Sequence, residues 1–255
     1  MHDDRTNPLK PIKWYKDLSS IKGRLEAHAF LVEGSRAIEQ IINNNPGEIL
    51  EVISSTDALP AYLQYPYRRI TEHQLSSISS AKTPQGTIAI IRLPNDAYSD
   101  YLPGHAGNRI LLLEDIQDPG NLGSLIRSAV AFGYSGIILT DKCADPFSPK
   151  CVQSTAGTVL SLWIRRTNRY YDFAKELRGE GYIIVSTYLE GKENPSILQG
   201  RDKFVLALGN EASGLSESII KMSDFILKIP MVNTKAESLN VAACGAICMY
   251  LSTLR

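Results

Sequence analysis

The stretch Leu111 to Gly133, LLLEDIQDPGNLGSLIRSAVAFG, restricts the fold of this chain more than any other. With Arg109 and Ile110 ahead of it, it opens as an apolar run too continuous for a strand with one wet face. It breaks at Asp118-Pro119-Gly120 and resumes with apolar residues at helical spacing. Leu122, Leu125, Ile126, Ala129 and Val130 form one stripe; Ser124, Arg127, Ser128 and Ala131 lie on the other side. A buried strand, a tight turn containing glycine and a helix together place ligand groups at the carboxyl edge of an open α/β sheet. Arg127 projects from the first turns of that helix, beside Gly123 one turn back, where nothing bulky blocks an incoming anion. By pattern alone it reads as a solvated surface arginine.

Short strands and helices alternate on both sides of this stretch. Before it, Trp14 and Tyr15 among lysines predict a short helix after a loose arm carrying Pro8 and Pro11. A strand at Phe30-Leu31-Val32 and a Glu33-Gly34 turn lead to a helix capped by Ser35 and running to Asn43. Next come a strand from Ile49 to Ser54, a helix to Ser80 opened by a Thr71/Gln74 capping box, and a strand from Thr87 to Leu93. The polar segment Asn95 to Asn108 reads as a linker, so the expected domains are 1–94, a small α/β unit, and 109–255, with 95–108 between them. In the second domain, strands are expected at Gly136–Thr140, Leu162–Arg165, Tyr182–Leu189, Phe204–Leu208 and Phe225–Ile229. Helices are expected from Ser148 or Pro149 through Val159, from an Asp172 cap to Glu180, from Ser216 to Met222, and from Ser238 to the terminus. Ser238 is the expected cap of the last helix, which is apolar nearly all round and so demands burial on more than one face.

Lys+Arg 27 balances Asp+Glu 27, so the net charge is zero, which argues mildly against a nucleic-acid partner. Local patches suffice for one, however. Lys10, Lys13, Lys16, Lys22 and Arg24 make a mildly basic start, and Arg165, Arg166 and Arg169 cluster later; solvated surface is the plainer reading of each. The four cysteines, Cys143, Cys151, Cys244 and Cys248, show no C-x-x-C pair and no zinc spacing, so they read as buried thiols in a reducing compartment. His73 has no partner at ligand spacing and reads as structural. No signal peptide and no bilayer-length apolar run is apparent, and the expectation is a soluble cytoplasmic protein without a metal.

The stretch around Arg127 resembles the first signature of the SpoU (TrmH-type) RNA 2′-O-ribose methyltransferases of the SPOUT superfamily, through Asn121, Gly123, Arg127, Ala129 and Phe132-Gly133. LALGNEASGLS (Leu206 to Ser216) resembles the second signature. ILKIPMVNTKAESLN, closing on Ser238-Leu239-Asn240, resembles the third, with Asn233-Thr234-Lys235 where relatives often carry glycine. FLVEGSRAIEQII and PQGTIAII resemble the substrate-binding domain that precedes the catalytic domain in many members.

The resemblance implies an α/β fold: a small N-terminal α/β RNA-binding domain, then a C-terminal open, mostly parallel sheet with a deep trefoil knot. It implies S-adenosylmethionine as cofactor, held by Thr187, Leu208, Gly209, Ile229, Met231, Ser238 and Leu239. It implies catalysis by Asn121, Arg127, Glu211, Ser238 and Asn240, and a homodimer through the knotted domain. The expected reaction is methylation of a ribose 2′-hydroxyl of RNA, with ribosomal RNA preferred because of the extra N-terminal domain. The alternatives are a transfer-RNA 2′-O-methyltransferase and a non-catalytic RNA-binding module that retains the fold. A nicotinamide dehydrogenase is set aside, since the DPGNLGS turn lacks G-x-G-x-x-G.

Overall fold

The computed structural model describes residues 10–57, 59–81, 83–232 and 237–254. The arm before Lys10 and the Asn233-Thr234-Lys235 loop lie outside the described residues. The chain forms two units, one made of residues up to Asn95 together with Asp145–Ser161, the other of Asp96–Ala144 and Leu162 onward.

In the first unit, two helices, α1 (Ile12–Asp17) and α2 (Ile21–Ala27), stand where a single one is expected. Ser20 explains the division: its side chain accepts from the Gly23 amide and restarts the helix. After them come β1 (Ala29–Glu33), α3 (Ser35–Asn44), β2 (Ile49–Ser54), β3 (Tyr67–Arg69), α4 (Glu72–Ile78) and β4 (Thr87–Arg92). The sheet order is β1-β4-β2-β3, with β4 antiparallel to β1 and β2, and β3 parallel to β2. The capping box forms as expected: the Gln74 amide donates to Thr71 Oγ1 at 3.2 Å, and the Thr71 amide to Gln74 Oε1 at 3.0 Å. Ser35 is not a cap. It is the first helical residue, and Gly34, at φ +97°, turns the chain into α3 instead. β3 has only three residues, two of them arginines, and shows no periodicity that sequence reading can detect.

Arg24 is neither solvated nor available to a ligand. It is 2% exposed, and its guanidinium donates to the carbonyls of Leu18 and Ser19 and to Asp145 Oδ2, each at 2.9 Å. Through this pair the segment that follows Ala144 is anchored in the first unit.

The second unit runs β5 (Arg109–Leu113), α5 (Pro119–Ala131), β6 (Gly136–Thr140), β7 (Trp163–Thr167), α7 (Tyr170–Gly179), β8 (Ile183–Thr187), β9 (Phe204–Leu208), α8 (Glu217–Met222), β10 (Phe225–Leu227) and α9 (Val241–Leu251). Helix α6 (Pro149–Thr155) falls between β6 and β7 but belongs to the first unit. Six parallel strands lie in the order β10-β8-β9-β5-β6-β7. Strands buried on both faces are what a parallel sheet demands, and β5, β6 and β9 are apolar almost throughout. Phe173 and Leu177 of α7 and Ile219 of α8 pack in one core with Ile110, Ile138 and Val205.

Several boundaries differ from expectation, each for a local reason. α6 stops at Thr155 because Ala156 (φ +52°) and Gly157 (φ +90°) turn left-handed, so it does not reach Val159. α7 begins at Tyr170, with Asp172 inside its first turn and no side-chain cap. α9 begins at Val241, capped by Asn240 and not by Ser238: Asn240 Oδ1 accepts from the amides of Ala242 (2.9 Å) and Ala243 (3.3 Å). β8 and β10 end at Thr187 and Leu227, short of Leu189 and Ile229, which leaves both loop segments free to line a cavity. The Arg165/Arg166/Arg169 cluster is spent internally. Buried Arg165 pairs with Asp96 at 2.6 Å, Arg166 donates to the carbonyls of Asp141 and Cys143, and Arg169 pairs with Glu176 at 2.9 Å.

Removing one partner of a buried ion pair is strongly destabilising, by about 3–5 kcal/mol. Arg24→Met is therefore expected to lower unfolding free energy by about 3 kcal/mol, read from a denaturant midpoint. A loss under about 1 kcal/mol would assign the pair no structural weight.

Candidate active site

The carboxyl ends of β8, β9 and β10 open onto a cavity of ≈ 290 Å³. Its walls are the loops that follow those strands and the segment entering α9. Apolar groups (Leu227, Ile229, Leu239, Val241) alternate with main chain and a few polar side chains, the mix expected of a small-molecule site. Glycine is required at the closest approaches. A Cβ on Gly209 would run into the backbone of Gly214 and Leu215, and one on Gly191 would lie 2.6 Å from the Leu227 carbonyl.

Of the residues expected at a cofactor, Thr187, Gly209, Ile229, Met231, Ser238 and Leu239 line this cavity. Leu208 does not; it is fully buried behind the wall, where Gly245 lets α9 come close. A Cβ at Gly245 would stand 2.8 Å from Leu208 Cδ1 and would collide with Leu125.

Among the residues expected to carry chemistry, Glu211 and Ser238 also line the cavity. Asn121 Nδ2 donates to Glu211 Oε1 at 2.6 Å, and Asn240 Nδ2 donates to Asn121 Oδ1 at 3.0 Å. One chain of hydrogen bonds thus joins the start of α5, the loop after β9 and the cap of α9. Each amide orientation follows from its neighbour. A carboxylate only accepts, so Asn121 must turn its amino group to Glu211 and its oxygen to Asn240, whose own oxygen caps the helix. α5 itself is fixed by Asp118, whose Oδ1 accepts from the Asn121 amide at 2.8 Å, with Pro119 at the first helical position.

Arg127 stands apart. It is exposed, lines no part of the cavity, and pairs with no described acidic residue. Six residues past Asn121, it sits about 9 Å further along the axis and about 240° around it.

Two residues were missed from the sequence. Asn210 folds the wall loop: its Oδ1 accepts from the amides of Ala212 (2.9 Å) and Ser213 (3.1 Å), and its Nδ2 donates to the Asp115 carbonyl at 2.8 Å. An Asn two residues before Ala-Ser-Gly at a strand end was the available signal. Cys244 lines the cavity from the first turn of α9. Its thiol is pulled below the ordinary cysteine range by hydrogen bonds from Cys248 and Thr187, against the opposing effect of burial. Cys248 moves upward in return, and Cys143 is raised by burial. Among the described residues no group of three or more His, Cys, Asp or Glu is placed to hold a metal, and no helix is long and apolar enough to cross a membrane.

The profile of the SpoU rRNA Methylase family matches residues 108–250, more than half of the chain. The chain belongs to the SpoU rRNA methylase family. Residues 10–89 match the MRM3-like substrate binding domain. The 23S rRNA (guanosine(2553)-2′-O)-methyltransferase RlmP of Bacillus subtilis is 29% identical over 94% of each chain. The 23S rRNA (uridine(2479)-2′-O)-methyltransferase of Streptomyces viridochromogenes is 26% identical over 93% of this chain and 87% of that one. The solved AdoMet-bound rRNA methyltransferase from Sinorhizobium meliloti superposes with a TM-score of 0.79 at 28% identity, covering 97% of this chain and 95% of its own. The mixed α/β architecture with a parallel sheet is the one these relatives share.

Thiolate, not thiol, reacts with alkylating agents. Cys244 is therefore expected to be labelled by iodoacetamide before Cys143, Cys151 or Cys248 at pH 7.5, as read by peptide mass mapping. Equal labelling, or Cys143 first, would show that the cavity does not expose a lowered-pKa thiol.

Proposed function

We propose that this chain transfers a methyl group from S-adenosylmethionine to a ribose 2′-hydroxyl of ribosomal RNA, acting as a homodimer in the cytoplasm. The observation that carries this reading is the hydrogen-bond chain from Asn240 through Asn121 to Glu211, which joins the three signature segments at the mouth of the cavity. The residues around that cavity fit the cofactor. Ile229 and Leu239 offer apolar faces to an adenine ring, Gly209 brings bare backbone to the wall, and Thr187, Met231 and Ser238 complete the rim. Leu208 contributes from behind, by packing under α9. The match of residues 10–89 to a substrate-binding domain, and the ribosomal RNA substrates named for both relatives, favour ribosomal over transfer RNA. On this reading the first unit, residues up to Asn95 with Asp145–Ser161, binds RNA and the second, Asp96–Ala144 and Leu162 onward, carries catalysis, so the expected 95–108 linker belongs, from Asp96 on, to the second unit.

S-adenosylmethionine, when bound, supplies an electrophilic methyl group on sulfur. The work left to the protein is alignment of the 2′-oxygen and stabilisation of the charge that develops on it. Guanidinium groups hold their proton with pKa values above about 12, so Arg127 acts as an anion partner to the forming alkoxide and the adjacent phosphate, not as a base. Asn121, Glu211, Ser238 and Asn240 orient the ribose, the amide orientations being fixed as described above.

Arg127 faces away from its own Asn121, which supports a site completed by a second copy. α9 supports it too: Ile247 and Tyr250 are 38% and 51% exposed on an otherwise apolar helix, with the Phe132 ring 6.1 Å from Tyr250. A trefoil knot, in which the final segment threads an earlier loop against the usual rule, is part of this reading. The Gly200 amide, bonded to the Leu254 carbonyl at 3.2 Å, supports a terminus tucked against the segment before β9.

Arg127→Ala is expected to abolish methyl transfer while S-adenosylhomocysteine still binds by calorimetry; equal loss of both would make the residue structural. Gly209→Ala is expected to lose the cofactor. Mixing the two inactive variants and allowing subunits to exchange should restore about a quarter of wild-type activity, since half the dimers then hold one complete site. No recovery would contradict a site shared between copies.

A further inference from the structure

A chain with no net charge meets a charged partner through a patch, and the pairing of its cations shows where one is left over. In the first unit several are spent. Arg24 is held by Asp145, Arg69 pairs with Asp57 at 2.6 Å, Arg92 with Glu48 at 3.4 Å and Lys22 with Glu26 at 3.8 Å. In the second unit Arg165, Arg166 and Arg169 are occupied as described above.

Four cations around α1 are not. Lys10, Lys13, Lys16 and Arg68 pair with no described acidic residue. Lys13 and Lys16 are exposed and stand one turn apart on α1, whose Tyr15 is fully buried and packs with Leu31, Ile53 and Ile88. The two lysines therefore face outward. Asp17 follows Lys13 at a spacing that permits an ion pair, yet makes none with it.

Two of the four are fixed in place. Arg68, on the edge strand β3, donates to the Lys10 carbonyl at 2.6 Å and to the Tyr15 hydroxyl at 3.3 Å, with its guanidinium 5.6 Å from the Tyr15 ring. These contacts hold the chain where it enters α1. Lys10 lays its ammonium over the Trp14 ring, 5.4 Å from the centroid, and Trp14 packs against the same core as Tyr15. Cations held before an anion arrives lower the ordering cost of binding it. Glu51, the carboxylate that faces Lys10 and Arg68, has both oxygens taken by the Tyr15 hydroxyl, at 2.8 and 2.9 Å. With Asp17 it leaves two carboxylates against four cations, so the surface is positive.

An ammonium is a compact charge that meets a phosphate oxygen without regard to the base beside it. A polyanion with closely spaced charges engages several such groups at once, where a single acidic side chain engages one. All four cations lie within residues 10–89, the part of the chain that matches a substrate-binding domain.

We propose that Lys10, Lys13, Lys16 and Arg68 form the surface by which the first unit grips the phosphate backbone of the RNA substrate. They set the strength of the grip and its dependence on salt, not the choice of sequence. The inference rests on the RNA-methyltransferase reading for the partner being an RNA.

The test is fluorescence anisotropy of the full chain with a labelled RNA stem-loop of arbitrary sequence, in KCl from about 50 to 200 mM. Lys13→Glu/Lys16→Glu is expected to weaken RNA about tenfold or more at the lower salt. The neutral pair Lys13→Gln/Lys16→Gln should flatten the slope of log affinity against log salt by about 1.5, close to one phosphate contact per lysine. Arg36→Glu/Lys175→Glu is the control. It makes the same change in net charge at exposed cations of α3 and α7, which pair with no described acidic residue and lie on helices outside the core that holds α1. It should cost less than about threefold. Every side chain changed is exposed, so Tm should not move in any variant. Equal losses in the two charge-reversal pairs, a larger loss in the control, or an unchanged salt slope in the neutral pair would overturn the surface while leaving the RNA reading in place. A wild-type chain that binds no RNA at the lower salt would overturn both. S-adenosylhomocysteine binding on the same samples separates the rest: its absence, with the expected RNA pattern intact, sinks the methyltransferase reading and leaves the surface standing.

Discussion

Asn121 satisfies Glu211 and Asn240 at once, and the site depends on that single side chain. The three residues lie on separate elements, Glu211 90 and Asn240 119 positions along the chain from Asn121. Because the chain of bonds ends on a helix cap, the start of α9 is tied to the wall of the cavity. The carboxylate makes the Asn121–Glu211 bond charge-assisted and so stronger than the neutral amide pair between Asn240 and Asn121. Any displacement of α5 is therefore felt at the loop after β9.

The sheet edge gives that link its purpose. Parallel strands in the order β10-β8-β9-β5-β6-β7 put all their carboxyl ends on one side. The chain changes winding direction between β9 and β5, the kind of crevice where open α/β sheets bind ligands. Loops after β8, β9 and β10 make one cavity and those after β5, β6 and β7 another, with the Asn210–Gly214 turn as the shared wall.

Strands and motif residues were legible in the sequence where local physics decides. The continuous apolar runs of β6 and β9 end where expected, at Thr140 and Leu208, because burial on both faces leaves no ambiguity. The Thr71/Gln74 box was equally plain, being a local exchange of two hydrogen bonds. Caps that compete with neighbours were not. Asn240 takes α9 from Ser238 because its amide also bonds Asn121, a contact no sequence window contains. Arg24, Arg165 and Arg169 read as surface charge, yet their partners Asp145, Asp96 and Glu176 are 121, 69 and 7 residues away, and only the fold brings the first two into reach. Leu208 entered the expected cofactor set only through the family resemblance; in the fold it is fully buried, with Gly245 of α9 close against it.

The central claim is methylation of a ribose in ribosomal RNA, and the most direct measurement is a map of 2′-O-methyl groups on ribosomal RNA from cells with and without this gene. The account predicts one position, or a few, methylated in the parent, unmethylated in the deletion and restored by the intact chain but not by Arg127→Ala. Identical maps in parent and deletion would contradict it.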